Sequence, residues 1–224
     1  MREKLRVELL APHQSYHNAQ GYRLPSVTTI TKIGGHDLAP WANRQGLAGI
    51  DTAVFVQRTA DIGTLTHARI EAELRGMELD PDGLDPEMLE QSWYGYARFM
   101  EWWDAQNLVA VENELRMVSE KFQVGGTLDI VAREKRHHQG LILLDIKTST
   151  AIHRSHKIQV AGAYAPMYRE VTGRRLDHCW IIRTGRERDQ ELEAFEIPCR
   201  PAYERAFRAL VKAHHALKDL PDNL

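Results

Sequence analysis

The stretch from Gly125 to Ser149, GGTLDIVAREKRHHQGLILLDIKTS, divides into two short strands joined by a polar turn. Thr127, Asp129 and Val131 alternate with Leu128, Ile130 and Ala132, the period-two pattern of a half-buried strand. Glu134 to Gly140 is charged and closes on glycine, as turns do. Leu141 to Lys147, LILLDIK, is apolar until Asp145 and Lys147. Two positions apart on one strand, those side chains leave the same face. If the strands pair, Asp129 approaches Asp145, and two converging carboxylates beside a lysine suit a hard divalent cation. An isolated D-x-K is a common tripeptide and usually no more than the polar end of a buried strand. This one follows a G-G-T-x-D strand and precedes Thr148-Ser149 and a helix carrying Gln159.

Working outward, Ser155 to Thr172 reads as a helix, with Pro166 predicting a kink or early break. On a regular helix Tyr164, five positions after Gln159, points about 140° away from it. His153, Arg154, His156 and Lys157 at the helix entrance form a cluster suited either to phosphate or to a solvated turn. Upstream, Leu108 to Ser119 alternates as a strand with Glu112, Glu114, Arg116 and Val118 on one face. Asp85-Pro86 opens a helix that ends near Asn107, with Leu89, Trp93, Tyr96, Ala97, Met100 and Trp103 at core spacing. Thr52 to Met77 is helical with an interruption near Gly63, and it places His67 and Glu71 one turn apart on a shared face. Ser26 caps a short helix that stops at Gly34-Gly35, and short strands precede it at Leu5–Leu10 and Gly21–Leu24. Leu176–Arg183 and Glu191–Ile197 read as further strands and Pro201–Leu220 as an amphipathic helix. The expected fold is α/β, a mixed central sheet flanked by helices.

These motifs resemble, in order, the nuclease core of the PD-(D/E)XK superfamily, and within it the RecB-type and phage-type exonucleases, a group that includes the mitochondrial genome maintenance exonuclease. The resemblance covers about residues 22 to 170 and is sharpest at G-T-x-x-H (Gly63–His67), G-G-T-x-D (Gly125–Asp129) and D-I-K-T-S (Asp145–Ser149). The segment LPSVTTI followed by Trp41 is similar to the N-terminal region of the phage-type enzymes, where it serves as scaffold or substrate contact. The resemblance implies a restriction-endonuclease-like α/β/α core and a site binding Mg²⁺ or Mn²⁺. It assigns the metal to His67, Asp129, Asp145 and the backbone carbonyl of Ile146. It assigns the chemistry to Asp129, Asp145, Lys147, Gln159 and Glu114, the last matching a family glutamate some fifteen positions before the motif aspartate. Where the family carries Q-x-x-x-Y, this chain has Ala163 at that tyrosine's place and Tyr164 one position later.

Composition sets the outer bounds. The chain has 224 residues, 43% of them hydrophobic and 27% charged, as expected of one globular domain over residues 1–224. Within it, 1–50 reads as an N-terminal scaffold, 51–172 as the nuclease core motifs and 173–224 as supporting strands and a terminal helix. Two cysteines are too few for a zinc finger or a four-cysteine iron–sulfur cluster. No apolar run reaches membrane-spanning length, and the charged N-terminal stretch lacks a signal-peptide core, so a bacterial or phage-infected cytoplasm is expected, with no membrane partner. Net charge is −2, but its distribution is uneven. Glu71–Glu120 holds 13 acidic residues against three arginines, and Arg133–Arg188 holds 12 Lys/Arg against five acids, which permits a local basic surface. The leading expectation is a metal-dependent DNA exonuclease of recombination, repair or processing, acting on single-stranded or duplex ends, as a homo-oligomer or with a recombination partner protein. The alternatives are a structure-selective endonuclease on the same core and a non-catalytic nucleic-acid-binding protein.

Overall fold

The computed structural model describes residues 2–7, 15–35, 38–135 and 140–221. Its frame is a five-stranded mixed sheet in the order β5 (Leu108–Ser119), β6 (Val124–Glu134), β7 (Ile142–Lys147), β8 (His178–Arg183) and β9 (Glu193–Glu196). Only the β7–β8 pair is parallel; the other three pairs are antiparallel. A parallel pair needs a crossover, and here it is the helical run Arg154–Thr172. Preceding the sheet come β1 (Lys4–Leu5), β2 (Tyr16–His17), β3 (Arg23–Leu24), α1 (Val27–Ile33), α2 (Ala39–Leu47), α3 (Thr52–Leu74), β4 (Glu78–Leu79) and α4 (Pro86–Ala105). The crossover is α5 (Arg154–Lys157), a π-helical segment (Ile158–Tyr164) and α6 (Ala165–Thr172); α7 (Pro201–Lys218) follows the sheet.

Two apolar layers sandwich the sheet. Phe99, Trp103 and Ile70 from α3 and α4 pack with Ile130, Leu144, Ile146 and Ile182 on one face. Val27, Ile30, Val160, Tyr168 and Phe207 from α1, the crossover and α7 pack with Leu128, Val131, Leu143 and Ile181 on the other. The fold is therefore the expected helix-flanked mixed sheet. Local chemistry sets the helix starts: the side chains of Ser26, Asp51 and Asp85 each accept from the first-turn amides, and Pro86 occupies a position that has no amide to lose.

Four expectations need correction. Helix α3 runs unbroken through Gly63, whose missing side chain makes room for Thr148, because a Cβ there would lie 3.0 Å from Thr148 Oγ1. The buried stripe of α4 is Ser92, Gly95, Phe99 and Trp103, while Trp93 is half exposed. Strand β6 is buried on both faces, since Leu128 and Val131 enter one layer and Ile130 and Ala132 the other. Pro166 does not end the crossover helix but sits where π-helix passes into α-helix. Residues 8–10 of the predicted first strand and 136–139 of the predicted turn lie outside the described residues.

Candidate metal centre

The site lies where β6 and β7 part company. Their pairing ends at Ile130↔Leu144, and the next donor, the Ile146 amide, is taken instead by the Asp129 side chain, Oδ2 at 2.6 Å. Across from it Glu114 holds the left-handed backbone conformation, φ +50°, in the middle of β5. Such a conformation costs a non-glycine residue about 1–3 kcal/mol. Strands β5 and β6 change face here: Leu115 and Leu128 join the α7-side layer while Asn113, opposite Ile130, reaches the Glu71 carbonyl on α3. The turn brings Glu114 Oε1 to 3.8 Å from His67 Nδ1, and Asp129 Oδ1 lies 3.6 Å from the same nitrogen. Simple alternation would have grouped Glu114 with Glu112 and Arg116. In the fold, Arg116 instead stacks over the Tyr16 ring, 4.9 Å to its centroid.

Asp145 and Lys147 leave one face of β7, and Lys147 Nζ lies 2.6 Å from Asp145 Oδ2. Asp145 is 1% exposed; Lys147 meets its Oδ2, and its Oδ1 has no hydrogen-bond partner. Burial pushes this carboxyl up to about 6; Lys147 pulls it down, and the Asp129 charge adds to the rise. Burial also raises Asp129, against the pull of His67 and Lys147. His67 shows the converse: burial disfavours its cation, but Asp129 and Glu114 outweigh that and raise it to about 9. Lys147 likewise stays cationic, burial being outweighed by Asp145 and Asp129.

The ligand atoms of His67, Glu114 and Asp129 all lie within 4.8 Å of one another, and the group could hold a metal ion. Asp145 stands outside that threesome; it and Asp129 each lie one residue beyond the last β6–β7 pair, and its buried Oδ1 has no partner. One imidazole nitrogen and hard carboxylate oxygens fit Mg²⁺ or Mn²⁺. A cleft of about 710 Å³ is lined by His67, Glu114, Ile146, Lys147 and Thr148. Glu71 lines it too, but its carboxylate pairs with Arg75 at 2.8 Å. Among the described residues, His153, Arg154, His156 and Lys157 stand outside the lining of this cleft.

The crossover helix supplies Gln159, 9% exposed, whose Nε2 donates to Tyr164 Oη at 2.9 Å. Their five-residue spacing is incompatible with a shared face on an α-helix, and the helix changes to accommodate it. Residues Ile158–Tyr164 are π-helical, and the Ala165 amide bonds to the Val160 carbonyl five residues back. Proline can follow at once because the wider turn has already disturbed the ordinary ladder. Burial and the neighbouring Asp145 hold the Tyr164 phenol well above its usual range, so it stays neutral. The paired glycines explain how the tyrosines come so near. A Cβ on Gly125 would meet the Tyr16 ring at 2.0 Å, and one on Gly126 would meet Tyr164 Cε1 at 2.8 Å. Tyr16 Oη in turn bonds Thr127 Oγ1 at 3.0 Å. Sequence reasoning left Tyr164 unassigned and missed Tyr16. The G-G pair was the available signal for close packing there, without saying against what.

No family model and no curated protein matches the chain. Among solved structures, a candidate exonuclease from Eubacterium rectale aligns at TM-score 0.46 and 14% identity, covering 70% of this chain and 65% of that one. The protein SSO0001 aligns at TM-score 0.38 and 15% identity, covering 71% of this chain and 76% of that one. The chain thus spans just under two thirds of the first of these proteins, and likenesses this distant assign no activity.

Proposed function

We propose that the chain is a divalent-metal-dependent deoxyribonuclease that acts as an exonuclease in DNA recombination, repair or processing. One observation carries the reading: the buried Asp145 carboxylate, whose Oδ2 meets Lys147 and whose Oδ1 has no partner, lies within reach of the charge on Asp129 of the His–Glu–Asp group. A structural ion pair would be expected to satisfy both oxygens. A carboxylate left open in this way suits a cation.

Asp129, Asp145, His67 and Glu114 would hold Mg²⁺ or Mn²⁺, with the Ile146 carbonyl as a further ligand. When bound, such an ion neutralises phosphoryl oxygen charge and lowers the pKa of a coordinated water. Lys147, kept cationic by its two aspartates, stabilises charge that develops on the scissile phosphate. Gln159 orients substrate or water through its amide, whose own rotation Tyr164 fixes. Glu114 and Asp129 orient His67, and the Ile146 amide orients Asp129. The preference for ends over internal bonds follows the motif resemblance to RecB-type and phage-type exonucleases.

The test is degradation of end-labelled linear single- and double-stranded DNA beside closed circular single-stranded DNA, with Mg²⁺, Mn²⁺ or EDTA, for wild type and Lys147→Ala. Metal-dependent loss of linear DNA alone, abolished by Lys147→Ala, supports the exonuclease. Cutting of the circle replaces it with an endonuclease, and no cleavage under any condition overturns the enzyme.

A further inference from the structure

A second cleft, of about 570 Å³, opens on the outer side of the crossover helix. Ala161 and Ala165 line it, and Ala161 lies two residues on from Gln159, on the far side of a turn from the candidate metal centre. Its walls carry Lys121, Arg169, Arg175, Arg200 and Arg208 against two acids, Glu170 and Glu204. Both acids are already engaged. Glu170 accepts from Ser119 Oγ at 2.7 Å and from the Lys121 amide at 3.1 Å. Glu204 takes Arg208 Nε and Nη2 at 3.0 and 2.6 Å. Lys121, Arg169, Arg175 and Arg200 are exposed, and among the described residues no carboxylate lies within ion-pair distance of any of them. Four unneutralised cations around one cleft repel each other, on a chain whose net charge is −2. The N-terminus of α7, at Arg200 and Pro201, adds its dipole to the same place.

Arg208 adds a different element. Its guanidinium lies over the Phe122 ring, 4.6 Å from the centroid, is held by Glu204, and remains half exposed. It is therefore a fixed planar cation with one face covered and the other available, a platform of the kind on which an unpaired base stacks. Arginine forks suit phosphate oxygens, and a neighbouring stacking plane suits a base that no partner strand covers. We infer that this cleft is a second binding site, for single-stranded nucleic acid, in which Lys121, Arg169, Arg175 and Arg200 take the phosphates and Arg208 stacks a base. The assignment stands on binding alone and does not require that the metal centre cleave anything.

It is tested by fluorescence anisotropy of a labelled oligothymidylate of about 20 nucleotides, long enough to span one such site. EDTA is present throughout, so cleavage plays no part, and salt is varied. The proteins are wild type, Arg169→Gln/Arg175→Gln/Arg200→Gln, the matching triple lysine variant, and Arg208→Gln. All substitutions are at exposed positions, and thermal melts confirm an unchanged fold. The glutamine triple should bind roughly tenfold more weakly, with its salt slope reduced by about 2, the figure for three lost phosphate contacts on a single strand. The lysine triple should recover most of that slope, and Arg208→Gln should weaken binding while leaving the slope nearly unchanged. A glutamine triple that binds with wild-type affinity and slope overturns the proposal. So does wild-type preference for a duplex of the same length. Failure of the cleavage assay with these results intact would overturn the nuclease reading and leave this site standing.

Discussion

Lys147 and Asp145 sit 2.6 Å apart, the carboxylate almost without solvent, and removing the lysine strands it. Lys147→Ala should therefore lower stability by about 3 kcal/mol in EDTA, and the deficit should shrink when Mg²⁺ or Mn²⁺ takes over the neutralisation of Asp145. Melting with and without metal checks this; a deficit indifferent to metal would show that no cation reaches Asp145. His67 permits a pH test. Its folded pKa of about 9 stands above the ordinary 6.5, so its proton stabilises the native state fully below 6.5, and that contribution is lost as pH rises through 9. Asp145 works in the same direction at lower pH: raised from 3.8 to about 6, it makes the native state less stable as pH climbs through that interval. In EDTA, the Tm advantage of wild type over His67→Gln should be largest below pH 6.5 and fall away toward pH 9. A pH-independent difference would contradict the raised value.

At the scale of elements, the π-helical segment reconciles a sequence spacing with a site. Gln159 and Tyr164 are five residues apart, and only a wider turn lets one bond the other while Pro166 continues the run. Tyr164→Phe should cost about 1–2 kcal/mol in urea denaturation, since it leaves a buried amide donor without its acceptor. The double glycine of β6 plays the complementary part. Gly125→Ala should destabilise more than Gly126→Ala, because its Cβ would enter the Tyr16 ring at 2.0 Å, whereas the Tyr164 edge stands at 2.8 Å. Both are overpacking changes, costing of the order of 1–3 kcal/mol. Equal effects would mean that Tyr16 moves aside freely.

For the whole molecule, the sheet acts as a wedge that splits. Antiparallel β6 and parallel β8 flank β7, and where β6 diverges from β7 a cleft opens that His67, Glu114 and Lys147 line. Anything that binds this cleft in the native state alone stabilises the whole domain. Saturating Mg²⁺ or Mn²⁺, at about 100 times its dissociation constant, should add about 2.7 kcal/mol to unfolding. Asp129→Ala should remove most of that gain. No helix among the described residues is long and apolar enough to cross a membrane.

Periodicity alone determined much of this protein. Strand β5 at Leu108–Ser119, the capped starts at Ser26 and Asp85, and the shared face of Asp145 and Lys147 are local properties, set by side-chain alternation and by which residues satisfy free amides. The order of elements then made a helix-flanked mixed sheet the natural packing. What lay beyond the sequence was every feature that depends on a neighbour distant in the chain. Gly63 reads as a break until Thr148 is seen against it, and the paired glycines signal close packing without naming the two tyrosine rings that fill the space. Alternation groups Glu114 with Glu112 and Arg116 because it assumes a regular backbone; a left-handed turn in mid-strand carries its carboxylate to His67 instead. Tyr164 falls on the wrong face of a regular helix and on the right face of a π turn, a choice made by the contacts on both sides of the helix and not by the residues within it.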